Sequence, residues 1–110
     1  LDEISPYANT NIVELNDGKI KETFLNPKDL GIKAASFNNI VGKDPVYNAE
    51  KMREIFQGKD NDFSIAVCLN AAAGLIVADK SSSFKEGYIK LRDHILSGKV
   101  IDHISKLQSW

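Results

Sequence analysis

Cysteine is nearly missing from this chain of 110 residues: Cys68 stands alone, so no internal disulfide can form. That usage is compatible with a cytosolic setting. Charge of one sign is missing too, since the formal net charge is −1 and no run of Lys or Arg stands out. Global electrostatics therefore give no reason to expect nucleic acid or an anionic membrane as partner. Histidine is scarce. His94 and His103 lie on either side of Gly98, and on one continuous helix their spacing would put them about half a turn apart. With one cysteine besides, a zinc site lacks ligands. Glycine-rich phosphate cradles, low-complexity tracts and internal repeats are absent, and no signal or transit pattern is read. The start, Leu1-Asp2-Glu3-Ile4, looks like the inside of an element, so the chain is expected to be part of something longer.

One long apolar run is present, from Phe63 to Ala78. Its alanines and leucines favour helix, and it is too long for an ordinary strand. A membrane span needs about 20 apolar residues, whereas this run is bracketed by Asp62 and Asp79-Lys80 and holds Asn70 near its middle. It is therefore predicted to be the buried central helix of one domain, with everything after Pro45 packed around it.

Ahead of it, Asn11 to Leu25 reads as a β-hairpin around Asp17-Gly18, a favoured two-residue turn. The register then sets Leu15 against Ile20, Glu14 against Lys21 and Val13 against Glu22. A lone hairpin is marginal in water, so this one is expected to lean on a sheet or helix. Asn26-Pro27-Lys28-Asp29-Leu30-Gly31 is turn chemistry, and Ile32 to Val41 shows no clear period. Asp44 and Pro45 announce a helix as N-cap and first residue. Ala49, Met52, Ile55 and Phe56 form its stripe, and Gly58 stops it. Asp62 or Asn61 caps the central helix. Ser83 with Glu86 predicts a capping box for a third helix with the stripe Phe84, Tyr88, Leu91 and Ile95, closed by Gly98. A fourth helix turns Val100, Ile104 and Leu107 inward. The fold class is a hairpin followed by four helices.

Few residues offer chemistry. Cys68 sits inside the apolar run and reads as inert core. Asn70 reads as a buried amide that ties down a neighbouring loop or helix end. Gly42-Lys43-Asp44 precedes a helix start, but Asp44 would oppose an anion there, and a loop-and-cap role is preferred. The adjacent carboxylates of Asp2 and Glu3 suit Mg²⁺, which takes one or two carboxylates plus phosphate oxygens and waters.

The order of these pieces resembles anthranilate phosphoribosyltransferase along essentially the whole chain. The resemblance rests on Leu1-Asp2-Glu3-Ile4-Ser5, Thr10, Glu14-Leu15, Asp17-Gly18 and Asn26-Pro27-Lys28-Asp29-Leu30-Gly31. It continues through Asn48-Ala49, Leu69-Asn70-Ala71-Ala72-Ala73, Glu86-Gly87 and Ser97-Gly98-Lys99. It implies the C-terminal part of a mixed α/β domain, shared with nucleoside phosphorylases, whose parent moves phosphoribosyl from phosphoribosyl pyrophosphate to anthranilate in tryptophan biosynthesis. It also implies Asp2 and Glu3 as Mg²⁺ ligands, a cytoplasmic setting, and no nucleic-acid or membrane partner. The family's glycine-rich phosphate loop and its dimer-forming helical domain would precede Leu1, so residues 1–110 alone are expected to be inactive. Two departures stand out. Ala8-Asn9 replaces a frequent Gly-Pro, and Lys43 replaces a second loop glycine. A same-fold relative that binds nucleic acid, or an interaction module built on the helices, are the alternatives; a Lys/Arg-rich replacement of the phosphate loop would mark the former.

Overall fold

The computed structural model describes residues 2–33 and 35–110; Leu1 and Ala34 lie outside them. Two antiparallel strands, β1 (Thr10–Asn16) and β2 (Lys19–Leu25), precede α1 (Pro45–Phe56), α2 (Asp62–Val77), α3 (Phe84–Leu96) and α4 (Lys99–Gln108). Short 3-10 turns at Pro27–Leu30 and Phe37–Asn39 fill the connection between sheet and helices. No described helix is long and apolar enough to cross a membrane.

The hairpin has the register its turn dictates. Asp17 and Gly18 both take positive φ, at 48° and 75°, which a two-residue turn of this hand requires. Leu15 then pairs with Ile20, Glu14 with Lys21 and Val13 with Glu22. Alternation puts Val13, Leu15, Ile20 and Phe24 on one face and Ile12 and Leu25 on the other. The sparser face is the one that packs inward, with Leu25 buried and Ile12 against the core. The richer face looks outward, where Leu15 is 70% and Ile20 75% exposed. The hairpin therefore leans on the helices only through its base.

Helix starts follow local chemistry. The Asp44 carboxylate accepts from Tyr47 N at 3.0 Å, with Pro45 in the first turn. Asn61 rather than Asp62 caps α2, and the reciprocal capping box is here: Asn61 Oδ1 accepts from Ser64 N, and Ser64 Oγ accepts from Asn61 N, each at 3.0 Å. Asp62 instead reaches outward and accepts from Ser36 N and Asn39 Nδ2. At α3 the predicted box is half made. Ser83 Oγ accepts from Glu86 N at 3.2 Å, but Glu86 Oε2 accepts from both the N–H and the hydroxyl of Ser82. Two donors on one residue outcompete the single N–H of Ser83. The Ser82 hydroxyl also holds the Glu86 carboxyl below its ordinary value.

Packing concentrates where α2 meets α3. Cys68, Leu69 and Ala72 are 0% exposed, and Tyr88 and Ile95 join them with Ile55 in one cluster. Burying a side chain such as Leu69 stabilises by about 1.5–3 kcal/mol. Close approach depends on Gly87, where a Cβ would stand 3.1 Å from Ala72 Cβ and 3.3 Å from Ser81 Oγ. An ion pair between Asp60 and Arg92, whose guanidinium lies 5.8 Å from the Tyr88 ring centre, fastens α3 to the loop before α2.

The prediction that α2 is enclosed on every side needs correcting. Val67 and Ala71 are exposed, and Val77 is 85% exposed. The reason is a shortage of neighbours: α3 covers one side, α1 touches it lightly, and α4 packs against α3 and α1. Two neighbouring helices and a hairpin base do not surround a helix that is apolar all round. Two stripe residues are likewise less covered than their spacing implies, because α1 and α4 lie at the edge: Met52 and Leu107 are exposed.

Candidate functional site

Around the start of the described chain, backbone groups are held unusually well for a segment outside regular structure. The Ser5 N–H donates to Thr10 Oγ1 at 3.0 Å, and the Ser5 hydroxyl oxygen accepts from Tyr7 N and Ala8 N at 3.3 and 3.0 Å. This local turn folds the segment back toward β1. Ser5 and Pro6 are buried, and the Tyr7 ring meets Phe37 edge-on at 5.7 Å. Ala8 and Asn9 are exposed without positive φ, so the bend into β1 rests on Ser5 and Thr10 and makes no demand for glycine there.

The anchor with the longest reach is Asn70, near the middle of α2. Its Oδ1 accepts from Ile4 N at 2.8 Å, and its Nδ2 donates to Ile4 O at 3.1 Å, across 66 residues of sequence. Nδ2 also donates to Ala66 O at 2.9 Å on the preceding turn of the same helix. The carboxamide thus satisfies both polar backbone groups of one residue while its own helix fixes its direction. Asn70 is half-buried rather than buried, but it ties down a neighbouring segment as predicted, and Ile4 is the partner the sequence did not name.

Asp2 and Glu3 stand immediately before this clamp, and both are exposed. Glu3, Ile4, Pro6, Ile40, Phe63 and Asn70 contribute to the wall of an open groove of about 440 Å³. Among the described residues, no group of three or more His, Cys, Asp or Glu could hold a metal ion by itself. The donor set at Asp2-Glu3 still suits a hard cation that draws its remaining ligands from phosphate and water.

The other candidates separate cleanly. Cys68 is fully buried and burial pushes its thiol up to about 11, against an ordinary value of 9.0, so it is inert core. His94 on α3 and His103 on α4 are both exposed. At Gly42-Lys43-Asp44 the loop is tied by a second asparagine: Asn48 Oδ1 accepts from Lys43 N at 2.9 Å, and Asn48 Nδ2 donates to Lys43 O at 3.3 Å. Close approach there belongs to Gly42, whose missing Cβ would stand 3.1 Å from Asn48 Oδ1, and the exposed Lys43 side chain lays its ammonium over the Tyr47 ring, 4.6 Å from the ring centre. Sequence reasoning missed the structural parts of Ser5, Thr10 and Asn48. A hydroxyl or amide two to five residues from a bend was the available signal.

Comparison with known proteins concerns the chain as a whole. An anthranilate phosphoribosyltransferase of Pelagibacter ubique is 54% identical over 109 residues, which is 99% of this chain and 33% of that protein. The corresponding protein of Agrobacterium fabrum is 35% identical over 108 residues, 97% of this chain and 31% of its own length. In structure the chain is similar to anthranilate phosphoribosyltransferase from Thermus thermophilus, with a TM-score of 0.86 at 29% identity, covering 96% of this chain and 31% of that one. The Saccharomyces cerevisiae enzyme, solved in complex with 4-fluoroanthranilate, gives 0.82 at 26% identity over 93% of this chain and 30% of its own. The chain thus spans about a third of the length of the relatives it matches. The hairpin followed by four helices is the shared part. The profile of the glycosyl transferase family, a/b domain, matches residues 1–101, and the chain belongs to that family.

Proposed function

We propose that this chain is the C-terminal segment of the α/β domain of an anthranilate phosphoribosyltransferase, a cytosolic enzyme of tryptophan biosynthesis that joins phosphoribosyl pyrophosphate to anthranilate. The observation that carries the reading is the 54% identity to the Pelagibacter ubique protein along nearly the whole chain. In this reading the glycine-rich phosphate loop and a helical, dimer-forming domain lie in the other two thirds of such a protein. Residues 1–110 alone do not turn over. Nucleic acid and membrane have no part in the reaction.

Asp2 and Glu3 are the residues that would hold Mg²⁺. When bound, the ion supplies charge neutralisation at the departing pyrophosphate. What the chain itself contributes is placement. The carboxylates add negative charge at an exposed edge, the Ile4 peptide is clamped by Asn70, and Ser5 and Pro6 are buried behind it. Pre-set ligands at such a site avoid an ordering cost when donor and cation arrive together.

The test is a chimaera in which these 110 residues replace the matching third of the Pelagibacter ubique enzyme. Loss of anthranilate fluorescence on adding phosphoribosyl pyrophosphate and Mg²⁺ is the expected result, with a drop of at least about a hundredfold for Asp2→Ala with Glu3→Ala. A folded chimaera without turnover, or one indifferent to both substitutions, would contradict the proposal.

A further inference from the structure

We propose that Asn70 is a positioning residue for the acidic pair: by gripping the Ile4 peptide from α2, it sets where Asp2 and Glu3 present their oxygens. The inference rests on the reading of Asp2-Glu3 as the Mg²⁺ pair. It assigns a role to a side chain that does not itself approach the ion.

The argument starts from what a tether does. Successive Cα atoms are about 3.8 Å apart, so each unfixed residue adds that much slack between a carboxylate and its nearest anchor. With the clamp, Glu3 is one residue from a fixed point and Asp2 is two. Without it, the next anchors are the Ser5 N–H on Thr10 and the buried Pro6. The clamp is also two-sided. A single hydrogen bond would leave the Ile4 peptide able to swing about the donor–acceptor line, whereas the pair through Oδ1 and Nδ2 at 2.8 and 3.1 Å stops both swing and slide. The third bond, to Ala66 O, keeps the amide from rotating away. All of this is mounted beside Leu69, which is fully buried. The buried helix face at Leu69 is thereby coupled to the exposed acidic start. Substituting groups that orient metal ligands typically weakens the metal about 10- to 100-fold.

The closing experiment uses the chain itself, labelled with ¹⁵N, with Mn²⁺ as a paramagnetic stand-in and inorganic pyrophosphate present. In the parent chain, broadening is expected first at the Asp2, Glu3 and Ile4 amides. Asn70→Ala should need about tenfold more Mn²⁺ for the same broadening. Leu107→Ala, at the distant edge of α4, serves as the control for general loosening and should leave the titration unchanged. Equal titrations for Asn70→Ala and the parent chain would overturn the positioning role while leaving the metal reading intact. Absence of localised broadening in the parent chain would remove the metal reading itself, and the positioning role with it. Should Asn70→Ala fail to fold, the parent chain still decides: the Ile4 amide must exchange with solvent at least tenfold more slowly than that of Glu3, and equal rates would mean that the clamp does not hold in solution.

Discussion

The hairpin and the α2–α3 pair are both rich in apolar side chains, and they use them in opposite ways. Between α2 and α3, Cys68, Leu69, Ala72 and Tyr88 are buried against one another. On the hairpin, Val13, Leu15, Ile20 and Phe24 face solvent. The helix pair is held by burial, whereas the hairpin is shaped by its turn and its backbone pairing, with little burial beyond Ile12 and Leu25. Apolar content alone therefore does not locate the stable part of a chain; the neighbours do.

The comparison can be broken most forcefully at Leu69. Leu69→Ala should lower the unfolding free energy by about 2–5 kcal/mol, read from denaturant midpoints by circular dichroism. Leu15→Ala on the outward hairpin face should stay within about 0.5 kcal/mol. Similar losses at the two leucines would erase the distinction. Next in size is Gly87→Val, which forces a side chain against Ala72 where a Cβ already meets it at 3.1 Å; a loss of about 1–3 kcal/mol is expected. Removing the α2 cap with Asn61→Ala should cost about 1 kcal/mol, since Ser64 N then loses its acceptor.

A further prediction concerns Cys68 and pH. Burial raises its thiol from 9.0 to about 11, so the folded state favours the neutral form. The associated stability is fully present below about pH 9 and is lost as pH rises toward 11. Alkylation at pH 8 should accordingly spare Cys68 until the chain unfolds, while a thiol placed by Val13→Cys should react at once. Rapid alkylation of native Cys68 would show that α2 is more open than described.

What could be read in advance was local. Asp17-Gly18 dictated the hairpin register pair by pair, and Asp44-Pro45 and Gly98 marked helix ends, because each depends on the conformations of two or three neighbouring residues. The stripe Phe84, Tyr88, Leu91 and Ile95 on α3 also holds, since one helix face was enough to specify it. What stayed hidden was relational. Nothing in the run from Phe63 to Ala78 says which side lacks a neighbour, because an all-apolar helix has no polar face to mark it. The competition between Ser82 and Ser83 for Glu86 turned on a count of donors that residue spacing does not rank. Asn70 announced that it needed partners, but its partner lay 66 residues away. At the acidic start, the residue types at Asp2 and Glu3 were legible, and the Asn70 hydrogen bonds to the neighbouring Ile4 were not.

Native-state amide hydrogen exchange on the whole chain tests the account most directly, because it reads the helix pair, the hairpin and the clamp in one experiment. The expected result is that residues 65–77 exchange more slowly than residues 12–24, with the Ile4 amide slower than Glu3. Better protection of residues 12–24 than of 65–77 would contradict it.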